Sequence, residues 1–118
     1  MTPGREGKRR RWSLETARAM VPEVRARTAE AVGEVEKLEV RRDGLAPGDP
    51  GRVAAEQALS RVVSTWVRAM EALGAEVKGP WLVDFDNGQG YYCWRWPEEE
   101  LAWFHGYDEG FPGRIRIQ

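Results

Sequence analysis

Cysteine and histidine each occur once in this 118-residue chain, at Cys93 and His105. A single cysteine excludes an internal disulfide framework and is the usage expected of a reducing cytoplasm. A single histidine leaves the chain short of the nitrogen and sulfur ligands on which zinc and iron centres are usually built. No apolar run approaches the roughly 20 residues needed to cross a bilayer. The basic start MTPGREGKRRRW is not followed by the apolar stretch of a secretory signal. There is no internal repeat, no low-complexity segment, no phosphate-binding Walker loop and no Gly-x-Ser-x-Gly elbow. Gly88-x-Gly90 lacks the third glycine and the following helix of a dinucleotide fingerprint, and reads as a hairpin loop. The serines near helices, Ser13, Ser60 and Ser64, have no general base in a recognisable arrangement.

Net charge is also small, at −1, so the chain as a whole carries no electrostatic footprint for nucleic acid. The charge is uneven. Residues 1–12 hold Arg5, Lys8, Arg9, Arg10 and Arg11 against Glu6, a balance of +4 that leaves −5 for the rest. That segment reads as a basic, disordered tail, and weak contact with nucleic acid is expected only there, through Lys8, Arg9, Arg10 and Arg11. The remaining residues, 13–118, read as one α+β domain: a helical hairpin over 13–74 and an antiparallel sheet over 76–118.

Hydrophobic residues make up 42% of the chain and charged ones 31%, enough apolar surface for one core. Ser13 is placed to cap a helix in which Leu14, Ala17, Val21, Val24, Thr28, Ala31, Val35 and Leu38 recur at alternating intervals of three and four. That is the pattern of a helix packed lengthwise on another. Pro22 lies inside it, so a kink or a fresh helical start is expected there. Residues 43–51, DGLAPGDPG, form the connection. A second helix over 52–73 carries the stripe Ala55, Leu59, Val62, Trp66, Ala69 and Leu73, and Gly74 supplies its C-terminal turn. The period then changes to two. LVDF and YYCWRW flank a turn at Asn87-Gly88, LAWFHGY follows the Pro97 turn, and GRIRIQ can add an edge strand, for three or four strands in all.

Alternation sorts the strand residues by face. A tight turn at 97–100 sets Tyr92 opposite His105, Trp94 opposite Trp103 and Trp96 opposite Leu101. Val83 and Phe85 share that apolar face, which is assigned to the helices. Asp84, Cys93, Arg95 and Phe104 fall on the other. Cys93 and His105 are then on opposite faces, which disfavours a Cys–His nucleophile pair, and Cys93 reads as a small buried hydrophobe. Ten of the twelve aromatics lie between Trp81 and Phe111. Seven acidic groups against one Arg95 in residues 79–111 argue for core packing over base stacking.

One polar cluster is a candidate ligand site: His105, Asp108, Glu109 and Arg114, with His105, Asp108 and Glu109 as the metal candidates and Asp108 able to orient the imidazole. Such a metal site would be oxygen-rich or would need a second subunit. Arg114 is expected to pair with Asp108, Glu109 or a carboxylate of the 98–100 turn, with anion binding as its alternative use. Asp84, Cys93 and Arg95 form a separate outer-face candidate.

The run LVDF, Gly90, Tyr92-Cys93-Trp94-Arg95, the acidic turn 98–100, His105 and Gly110-Phe111-x-Gly113-Arg114 resembles a bacterial family known as domain of unknown function 2203. The upstream SLETARAMVPEV segment extends the resemblance over roughly residues 12–117. Tyr92, Trp96-Pro97, Phe104 and Pro112 depart from the usual pattern, as packing and turn changes. The resemblance implies a fold and a cytosolic bacterial or archaeal origin. It supplies no activity, cofactor or catalytic residue.

Two functional readings follow. The first is a non-catalytic interaction or regulatory module, because no complete catalytic constellation survives the sorting by face. The second is a small-molecule or metal-binding protein, or an enzyme, built on the His105 cluster. Strands of about six residues reach roughly 20 Å, whereas the second helix alone reaches about 33 Å. The heptad stripe therefore runs past the sheet, and a homodimer of hairpins, or a partner helix in the same groove, is expected to cover it.

Overall fold

A computed structural model describes residues 10–118. Helix α1 (Leu14–Asp43) and helix α2 (Pro50–Ala72) form the hairpin, and five strands follow: β1 (Glu76–Gly79), β2 (Leu82–Asp86), β3 (Tyr91–Arg95), β4 (Trp103–His105) and β5 (Ile115–Arg116). The five make one antiparallel meander in the order β1-β2-β3-β4-β5. The α+β hairpin-plus-sheet architecture is as expected, with one strand more than the sequence suggested.

The helix ends are set locally. Ser13 accepts from the Thr16 amide at 3.0 Å while Thr16 Oγ1 accepts from the Ser13 amide at 3.0 Å, a reciprocal cap. α1 runs unbroken through Pro22, so no fresh start occurs. Asp49 caps α2 by accepting from the Gly51 amide at 2.7 Å. At its other end Gly74 takes φ 93°, with Gly74 N–H on Glu71 and Ala75 N–H on Met70, the double closure that a left-handed residue permits.

Ala17, Val21, Val24, Thr28 and Ala31 are the buried residues of α1, and Ala55, Trp66 and Met70 those of α2. All but Thr28 and Ala55 share one core with Val83, Phe85 and Trp94 from the sheet and Leu101 from the β3–β4 connection. The core also contains Trp12, from the segment that sequence assigned to the tail. Its amide donates to the Asp86 carbonyl at 2.7 Å, its Nε1–H donates to the Gly74 carbonyl at 3.2 Å, and its ring packs edge-on to Phe85 at 5.0 Å. Arg10 lies over the Trp12 ring at 3.6 Å. The tail reading for residues 1–9, Lys8 and Arg9 included, lies outside the described residues.

The expected pairing of β3 with β4 is corrected by one residue. Tyr91 faces His105, Tyr92 faces Phe104 and Cys93 faces Trp103. Glu98 sets this register. Its amide donates to the Arg95 carbonyl at 2.8 Å, its Oε1 accepts from the Arg95 amide at 2.8 Å, and its carbonyl accepts from Trp94 Nε1–H at 3.0 Å. The connection 96–102 holds an odd number of residues where a four-residue turn was expected, and a slip of one exchanges the faces of an entire strand. Trp103 and His105 therefore join Cys93 on the outer face, and Phe104 turns to the helix side with Tyr92.

Candidate functional site

The outer face should be wet, yet three polar side chains lie sealed within it. Asp84 on β2 and Cys93 on β3 stand directly opposite one another, and His105 on β4 reaches them from a diagonal position. Asp84 is 1% exposed, Cys93 0% and His105 3%. The cover comes from neighbouring rings and from residues after β4. Tyr91 packs on His105 at 5.4 Å and edge-on to Tyr107 at 5.2 Å, and the Tyr107 hydroxyl donates to Asp86 at 2.7 Å. Arg114 lies over Phe111 at 4.1 Å and Trp103 at 4.8 Å, pairs with Glu98 at 2.9 Å, and brings Nη1 to 3.9 Å from Cys93 Sγ. Lys78 sits over the Tyr91 ring at 3.8 Å, with its Nζ 3.7 Å from Asp84 and 3.5 Å from Glu76.

The hydrogen bonds fix the proton inventory. His105 Nδ1 lies 2.8 Å from the Gly106 carbonyl, which can only accept, so Nδ1 carries a proton and donates. Nε2 lies 2.9 Å from Asp84 Oδ2, and a single proton bridges that pair. Burial pushes the Asp84 carboxyl above its ordinary pKa, against the pull of His105, Cys93 and Lys78. Burial and the adjacent Asp84 carboxylate push the Cys93 thiol up to about 12, outweighing Arg114. Burial works against the Lys78 ammonium, but the Tyr91 hydroxyl and the Asp84 and Glu76 carboxylates hold it above its ordinary value. Asp84 Oδ1 has no hydrogen-bond partner.

The structure thus draws His105 out of one sequence-derived cluster and joins it to Asp84 and Cys93 of the other. Asp108 and Glu109 are exposed in the turn after β4. Glu109 Oε1 accepts from the Gly106 amide at 2.8 Å, and Asp84, rather than Asp108, orients the imidazole. Arg114 takes its partner, Glu98, from the acidic turn. Arg95 is exposed, its guanidinium 5.2 Å from the Phe111 ring centre. The correct β3–β4 register was the one signal that would have united Asp84, Cys93 and His105. A protonated thiol at 0% exposure, beside an imidazole nitrogen already engaged by Asp84, is poorly suited to nucleophilic attack.

Residues 10–117 match the family model described as uncharacterized conserved protein, DUF2203. The chain belongs to this family. No curated protein and no solved structure matches it. In this DUF2203 chain the matched span begins at Arg10, so it takes in Trp12 as well as all three buried polar residues.

A second feature lies on the hairpin. An open groove of about 490 Å³ is lined only by α1 and α2 residues, with Ala31, Val62, Trp66 and Ala69 among them. Glu30 and Glu34 of α1 border it, as does Arg61 of α2. Glu23 and Arg27, also at its edge, pair with each other at 2.9 Å. Among the described residues no helix is long and apolar enough to cross a membrane.

Proposed function

We propose that this protein is a non-catalytic interaction module that works in the cytoplasm as a homodimer, its two hairpins joined along the α1–α2 groove as a four-helix bundle. The observation that carries the reading is the groove itself: apolar and small side chains at an open surface of the hairpin, with charged rims of opposite sign on its two helices. A two-fold axis sets α1 of one copy against α2 of the other. Glu30 and Glu34 then meet the partner's Arg61, and the arrangement is self-complementary. Val35 and Leu38, half-buried further along α1, extend the same stripe.

The test is mass in solution. Light scattering at micromolar concentration should give twice 13.4 kDa, and Val62→Glu or Val35→Glu should return the monomer with its circular dichroism intact. A monomer at every concentration would refute the homodimer. A dimer indifferent to both substitutions would refute this interface.

A further inference from the structure

We propose that Asp84, Cys93 and His105 form a binding site for one divalent transition-metal ion of the zinc class. Each residue offers one donor atom, an oxygen, a sulfur and a nitrogen, and the three atoms lie within 4.8 Å of one another. Zinc bonds of about 2.0–2.3 Å put tetrahedral ligand atoms roughly 3.3–3.8 Å apart, so the donors need shift by only about 1 Å. Magnesium and calcium, which want oxygen ligands in greater number, do not suit this set.

Three further observations point to an ion. Asp84 Oδ1 is the one buried side-chain oxygen or nitrogen among the described residues without a hydrogen bond, an arrangement that costs free energy unless a ligand satisfies it. The Gly106 carbonyl already holds His105 in the tautomer that metal-bound histidines adopt: Nδ1–H donates outward, and Nε2 is aimed at Asp84. The charges also balance. A carboxylate and a thiolate neutralise a divalent cation, so the loaded site is a neutral group in a dry place.

Binding exchanges protons for the ion. Cys93 gives up its thiol proton, and the proton shared by His105 Nε2 and Asp84 Oδ2 also leaves, two for each ion bound. Because the ion displaces both protons, affinity rises with pH. Arg114 beside Sγ and Lys78 beside Asp84 stand outside the donor set, where they can steady the ligands.

The full chain, without an added histidine tag and freed of metal by chelation, is titrated with Co²⁺ and then Zn²⁺. One equivalent of Co²⁺ should bring up a thiolate-to-cobalt charge-transfer absorption that Zn²⁺ abolishes, and weakly buffered titration should count two protons released per ion. Cys93→Ser, Asp84→Asn and His105→Gln should each weaken binding at least tenfold while near-ultraviolet circular dichroism stays native. A folded wild-type protein that shows no charge-transfer band overturns the proposal. So does stoichiometric binding that survives Cys93→Ser, or release of no protons. If the variants fail to fold, the wild-type band and proton count still decide.

Discussion

Cys93 stands opposite Asp84 on the neighbouring strand, and both side chains are sealed on the face of the sheet that turns away from the helices. The Asp84 carboxylate disfavours the thiolate beside it, whereas the neutral thiol favours the carboxylate. Burial, with the repulsion of that carboxylate added to it, is why Cys93 holds its proton far above the range of an exposed thiol.

The metal-free protein should therefore lose stability in alkali through Cys93. In the folded state the thiol titrates at about 12, against 9.0 for a free one. Below 9 both states keep the proton and the contribution is fully present. Between about 9 and 12 the unfolded chain sheds a proton that the folded chain retains, so stability falls by up to about 1.4 kcal/mol per pH unit. Cys93→Ala lacks this slope. Urea midpoints of the two proteins in chelator, at pH 8 and pH 10, should draw together as pH rises; a constant gap would contradict the assignment. Alkylating reagents at pH 8 should label Cys93 only on unfolding.

Thr28 and Trp66 tie the two helices together through a polar contact inside the core. Trp66 Nε1–H donates to Thr28 Oγ1 at 2.9 Å, and that hydroxyl donates to the Val24 carbonyl at 2.7 Å. Thr28→Val leaves a buried indole N–H unpaired and should cost about 1–3 kcal/mol. With Trp66→Phe in place the N–H is gone, so the same substitution should cost less by about 1 kcal/mol or more. Denaturant unfolding of the four proteins of the cycle measures the difference, and strict additivity would show that the bond contributes nothing.

Gly90 closes the β2–β3 turn where no side chain fits. A Cβ there would lie 2.6 Å from the His105 carbonyl oxygen and 2.6 Å from the Phe104 ring. Gly90→Ala should destabilise the protein by about 1–3 kcal/mol through this overpacking. Gln89→Ala, at the neighbouring exposed position, should change stability by less than about 0.5 kcal/mol. Equal urea midpoints for the two variants would refute the close approach.

The hairpin was legible because its signals are local: the spacing of Ala17, Val21, Val24, Thr28 and Ala31, the cap at Ser13, and Gly74 where the helix must turn. The Asn87-Gly88 turn was equally plain, with Gly88 at φ 92° and Asn87 Oδ1 accepting from the amides of Gln89 and Gly90. What escaped was the parity of the 96–102 connection. Pro97 and three glutamates announce a turn but not its length, which the backbone and side chain of Glu98 together decide. That one residue of register moved His105 from the helix face to the side of Cys93. β1 escaped for a related reason: its reversal places Trp81 at φ 59°, a conformation that tryptophan rarely signals, held against Trp66 at 4.9 Å.

Trp12 gives the sharpest disagreement between composition and structure, and so the most decisive test of where the domain begins. Its neighbours Arg9, Arg10 and Arg11 make the segment look like solvated tail, and short apolar content around a single indole gives no periodicity to read. Yet the ring is 3% exposed, and its amide and Nε1–H join the end of β2 to the turn after α2. The indole bond to Gly74 bridges 62 residues of sequence, and the edge-on packing on Phe85 links the start of α1 to the sheet. Trp12→Ala should cost about 3–5 kcal/mol, the range for removing a buried tryptophan. Arg10→Ala keeps the indole and loses only its cationic cover, and should cost less than about 1 kcal/mol. Thermal and urea unfolding of both variants settle the matter: if Trp12→Ala unfolds with the wild-type midpoint, the segment before Ser13 is a tail after all, and the fold is complete without it.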